Sequence, residues 1–86
     1  MATLIRPAKG LDRELILKIT PKRGEVFTRP ELFSFVGVDF NMIELMSGDL
    51  LLTEKNQTGV RNLLGSKLSH REIFGTAIIA EKQEID

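Results

Sequence analysis

Eighty-six residues, 42% apolar and 28% charged with a formal charge of zero, describe one ordinary globular domain with no room for a separate substrate lobe. The absence of Cys excludes a disulfide scaffold, a thiolate metal site and a Cys nucleophile. No apolar run approaches the roughly 20 residues that span a bilayer, and MATLIRPAKG lacks the apolar core of a leader, so a soluble, cytoplasmic chain is the expectation.

In chain order, Thr3–Arg6 is a short strand stopped by Pro7. Glu14–Thr20 is a clearer one, in which Leu15, Leu17 and Ile19 alternate with Ile16 and Lys18. Pro21-Lys22-Arg23-Gly24 has turn chemistry. Thr28 and Glu31 stand at capping-box spacing, Pro30 suits a first helical turn, and Leu32, Phe35 and Val36 form one apolar face. A helix over Arg29–Val36 follows, with Phe27 placed to staple onto it and Gly37 to end it in the left-handed conformation.

After Phe40 the period changes to two. Met42–Met46 and Leu50–Glu54 flank Ser47-Gly48-Asp49 as the arms of a hairpin. A two-residue turn at Gly48-Asp49 pairs Met46 with Leu51, Leu45 with Leu52, Glu44 with Thr53 and Ile43 with Glu54. In that register Ile43, Leu45 and Leu52 share one face, and Met42, Met46 and Leu51 form an apolar stripe on the other.

Val60, Leu63 and Leu64 suggest a second short helix, capped by Thr58 and closed by Gly65, after which Ser66–Arg71 turns the chain. Glu72–Lys82 is apolar on both sides, Ile73, Ala77 and Ile79 against Phe74, Ile78 and Ala80, which predicts a central strand. Gly75 within it marks a bulge or a close packing contact. The tail, residues 83–86, is expected to fray. The fold class is therefore α+β over residues 1–86, about five short, mostly antiparallel strands with two short helices on one face, in the order β-β-α-β-β-α-β.

Function is much less legible. Charge is uneven, with seven Lys or Arg against three acids in residues 1–30 and five against nine in residues 31–86. Lys18, Lys22, Arg23 and Arg29 could make a basic edge. Nucleic-acid binding domains, however, bring a net basic balance and exposed aromatics, and this chain has neither Tyr nor Trp. The one His, His70, stands in a polar stretch with no second ligand beside it. Glu44 and Asp49 fall at different positions along the hairpin, and GVRNLLG lacks the Lys-Ser/Thr of a phosphate loop. No metal, nucleotide or nucleophile motif is present, so no cofactor and no enzymatic activity are expected.

The pattern Leu32-x-x-x-Val36-Gly37, Ile43-Glu44, Asn62-x-x-Gly65-Ser66-x-Leu68 and Ile73-x-Gly75-Thr76-Ala77 resembles a small domain family of unknown function found mainly in bacteriophage and plasmid-borne proteins. The likeness covers roughly residues 28–81 and departs at Val38, where a second Gly is usual, and at Thr53-Glu54-Lys55, where an Asp-Glu-x-Gly turn is. It implies fold and origin, and no activity. The expectation is a non-enzymatic phage- or plasmid-type accessory protein that binds a host or phage protein, or a second copy of itself, through Met42, Met46 and Leu51. The alternative is a small-ligand binder using a polar pocket of Glu44, Asn62, Ser66 and Thr76.

Overall fold

Strands β1 (Ala2–Arg6), β2 (Leu15–Ile19), β3 (Asn41–Glu44), β4 (Leu50–Thr53) and β5 (Ala77–Ala80) alternate with helices α1 (Arg29–Val36) and α2 (Leu63–Ser69) in a computed structural model. It describes residues 1–7, 14–22, 24, 26–37, 39–57 and 59–85. The element order is the expected β-β-α-β-β-α-β. All strand pairs are antiparallel in one five-stranded sheet of order β2-β1-β5-β4-β3. The radius of gyration, 12.1 Å, fits the value of about 12 Å for a single domain of this length.

The last strand lies at the centre, where its apolar pattern puts it. Ile78 sits between Leu4 and Leu52, and Ala77 between Ile5 and Thr53, so β5 is shielded by a neighbour on each side. It is shorter than the Glu72–Lys82 run, because Gly75 at φ +82° redirects the chain and Phe74 bridges back to Arg61.

One face of the sheet is closed by α1. The capping box forms as expected: the Thr28 hydroxyl accepts from the Glu31 amide, and the Glu31 carboxylate accepts from the Thr28 amide at 3.3 Å. Leu32 and Val36 point into a cluster with Ala2, Leu4, Leu52, Ile78 and Ala80. Phe27, the residue before the cap, is fully buried in the same cluster as Leu32, one turn into the helix, so the staple is made. Gly37 ends the helix at φ 91° but with extended ψ, so the expected left-handed cap is replaced by a conformation that only Gly reaches easily.

The other face is packed by Ile73 with Leu45, Leu51 and Ala77. Ile73 follows α2, whose N-terminus lies beside it through Asn62 and Ser66. The arrangement refines the two-helices-on-one-face picture: α1 holds one face, and the α2 segment reaches the other through Ile73. The helix α2 also starts and ends later than expected. Asn62 is its N-cap, Gly65 lies inside it, and His70 closes it in the left-handed conformation at φ 56°. The expected cap, Thr58, and Arg23 of the Pro21–Gly24 turn lie outside the described residues.

The hairpin register differs by three residues. Ile43, expected across from Glu54, pairs with Leu51, and Glu44, expected across from Thr53, pairs with Leu50. The loop holds three residues, Met46 to Gly48, closed by hydrogen bonds from the Gly48 amide to the Leu45 carbonyl (2.9 Å) and from the Leu45 amide to the Asp49 carbonyl (2.8 Å). Gly48, at φ +93°, takes the third loop position of a bulged turn instead of the first position of a two-residue turn. Because the slip is odd, faces exchange: Leu52 turns to α1 with Met42, and Leu51 joins Ile43 and Leu45.

The tail is also held more firmly than expected. Lys82–Glu84 forms a 3-10 turn, the Phe27 amide donates to the Glu84 carbonyl at 2.6 Å, and the buried Glu84 carboxylate pairs with the Met1 ammonium. Burial pushes the Glu84 carboxyl up, but the Met1 ammonium and the Glu81 amide hold it, on balance, below the ordinary carboxylate value.

Candidate interaction surface

Asn62 and Ser66, two of the four residues expected to line a polar pocket, are interior joints. Asn62 Oδ1 accepts from the Gly65 amide at 2.8 Å, while Nδ2 donates to the carbonyls of Ile5 (3.0 Å) and Gly75 (2.9 Å). Ser66 Oγ donates to the Asn62 carbonyl at 2.7 Å and accepts from the Ile73 amide at 2.8 Å. Both side chains are buried with their hydrogen-bonding capacity used on main chain, which leaves little for a ligand.

Thr76 lies nearby, and its amide donates to the Glu54 carboxylate at 2.6 Å. A Cβ built on Gly75 would land on that same carboxylate, so Gly75 provides the close packing contact its position suggested. Glu44 is elsewhere. It stands across from Leu50 at the hairpin end of the sheet, exposed and paired with Lys82 at 2.6 Å, whereas Asn62 reaches Ile5 at the opposite end. The structure does not bring the four residues together.

The apolar stripe is likewise dispersed. Met46 is 93% exposed at the hairpin tip and Met42 is 49% exposed on the outer strand β3, but Leu51 is wholly buried on the other face. The odd register slip separates Met42 from Leu51. What remains of the expected surface is Met42 and Met46 on one edge of the sheet.

A second exposed apolar surface is on the opposite edge. In β2, Leu15, Ile16 and Leu17 are 48%, 52% and 41% exposed, and among the described residues only β1 pairs with this strand. An unpaired edge with large apolar side chains on both faces is a ready template for another strand. The alternation of Leu15, Leu17 and Ile19 with Ile16 and Lys18 marks the strand in the sequence but not its openness. The available signal was Lys18, a charge of the sort that guards edges. Lys18 donates to Thr3 Oγ1 at 2.8 Å across the β1–β2 pair.

Of the residues expected to make a basic edge, Lys18 lies on β2 itself and Arg23 lies outside the described residues. The Lys22 amide is bound by Glu31, and the Arg29 guanidinium lies 6.0 Å from the Phe40 ring centre. Among the described residues no group of His, Cys, Asp or Glu is placed to hold a metal ion, and no helix is long and apolar enough to cross a membrane. No protein-family model, curated protein or solved structure matches the chain.

Proposed function

We propose that the chain is a non-enzymatic accessory protein, of the phage- or plasmid-borne type its sequence resembles, that works in the cytoplasm by binding another protein along an open edge of its sheet. The observation that carries this reading is the run of three exposed apolar residues, Leu15 to Leu17, on an edge strand. Contiguous exposed apolar surface on a small domain marks an interaction site, and an open strand offers main-chain donors and acceptors for β-augmentation. The exposed methionines Met42 and Met46 give the opposite edge an adaptable surface for the same purpose.

The test is capture of host or phage proteins on the tagged chain, with Leu17→Asp and Met46→Asp as edge-specific variants. Both positions are exposed, so the domain remains folded. Loss of a captured protein with one variant assigns the edge. Retention by both variants, or no capture by the wild type, removes the reading.

A further inference from the structure

Strand β2 is self-complementary. We propose that its open edge pairs antiparallel with β2 of a second copy, across a two-fold axis at Ile16, to make one continuous ten-stranded sheet. This rests on the protein-binding reading and names the partner.

In that register Leu15 lies across from Leu17 of the second copy, Ile16 across from its own equivalent, and Glu14 across from Lys18 of the second copy. Symmetry makes each unlike pair twice. Leu15 and Leu17 stand on one face of β2 with Ile19, and Ile16 and Lys18 on the other, as their pairing with β1 requires. The dimer would therefore gather four leucines on one face. The other face would hold two isoleucines flanked by two opposite-charge pairs, the arrangement that stabilises directly opposed residues.

Neighbouring registers lose this match. Centring on Leu17 sets the Lys18 ammonium across from Ile16, and centring on Lys18 opposes two ammonium groups. The pair keeps capacity although the Glu14 carboxylate already receives the Leu63 and Leu64 amides, the latter at 2.9 Å, and the Lys18 ammonium, with three donors, already gives one to Thr3 Oγ1. Two oxygens offer about four acceptor sites, and the amides occupy two. The same bonds hold Glu14 in place beside β2. A pair of five-residue strands buries less than the about 1,600 Å² of a standard interface, so the dimer is weak and concentration-dependent.

Sedimentation from micromolar to near-millimolar concentration should show a monomer–dimer equilibrium for the wild type. Ile16→Lys, which sets two ammonium groups on the axis, should weaken it at least about tenfold. The absence of native Cys lets single cysteines report the register. Ile16→Cys should oxidise to a covalent dimer. Leu15→Cys and Leu17→Cys should cross-link when mixed but not alone, because like positions lie about 7–8 Å apart on the diagonal, beyond disulfide reach.

A wild type that stays monomeric throughout, a dimer indifferent to Ile16→Lys, or Leu15→Cys cross-linking to itself would each overturn the inference. If self-pairing fails while Leu17→Asp still abolishes capture of another protein, only the identity of the partner is lost. If both fail and Met46→Asp also leaves capture intact, the protein-binding reading falls with it.

Discussion

On the α1 face the sheet is closed by apolar side chains, whereas on the opposite face one buried amide, Asn62, joins the structure alongside Ile73. The α1 layer draws on contacts without direction, and its helix is started by a box of neighbouring residues, Thr28 and Glu31. The α2 layer depends on directed hydrogen bonds between parts of the chain far apart in sequence. Asn62 reaches 57 residues back to Ile5 and 13 forward to Gly75. An apolar layer can relax partly around a lost group, but removing one member of a buried polar joint leaves its partners stranded.

Truncation on the apolar face should have the largest effect, at the strand both layers share. Ile78→Ala is expected to lower stability by about 2–5 kcal/mol, read from denaturant midpoints. A loss below about 1 kcal/mol would mean that the α1 layer closes without β5. Asn62→Ala comes next, at about 2–3 kcal/mol, because it removes a helix cap and leaves the Ile5 and Gly75 carbonyls unpaired. Asn62→Asp separates the two contributions: it keeps an acceptor for the Gly65 amide and loses both donors. If Asp restores full stability, the strand contacts contribute nothing and the contrast between the layers is only one of caps.

Gly75→Ala should cost about 1–3 kcal/mol, since alanine at φ +82° is strained and displaces the Glu54 carboxylate from the Thr76 amide. Thr28→Ala is expected to cost about 1 kcal/mol. Equal losses for Thr28→Ala and Asn62→Ala would erase the distinction between an exposed cap and a buried one.

The smallest effect is acid sensitivity. The Lys22 amide holds the Glu31 carboxyl below its ordinary value, against some burial, with help from the Thr28 amide and hydroxyl. Glu84 is lowered too. Both carboxyls are more acidic folded than unfolded, so their stabilisation is complete above the ordinary carboxylate pKa. It is lost as the pH falls through the lower, folded value. Midpoints measured through the carboxylate range should fall less steeply in Glu31→Gln, and an unchanged slope would show that the α1 box is insensitive to charge.

Much of the α1 layer was legible in the sequence because Thr28, Glu31, Pro30, Leu32 and Val36 act within ten residues of one another. The hairpin was legible as a hairpin but not in its register. Ser47-Gly48-Asp49 serves a two-residue or a three-residue loop, and only the pairing of Leu52 with Ile78 beneath α1 decides between them. That odd slip also dispersed the expected Met42–Met46–Leu51 stripe. The role of Asn62 was hidden for a different reason: its two donors meet main-chain carbonyls, which carry no side-chain signature.

The sequence by itself determined the order of the elements and the α1 cap, the cap from residues close together, and apolar character on both sides made β5 a candidate for the centre of the sheet. It could not tell β5 from β2 in exposure, because Ala77–Ala80 and Leu15–Leu17 are both apolar on alternating faces. Tertiary structure decided that. Among the described residues the sheet order gives β5 a neighbour on each side and leaves β2 with one, so the same pattern is core in one strand and open edge in the other.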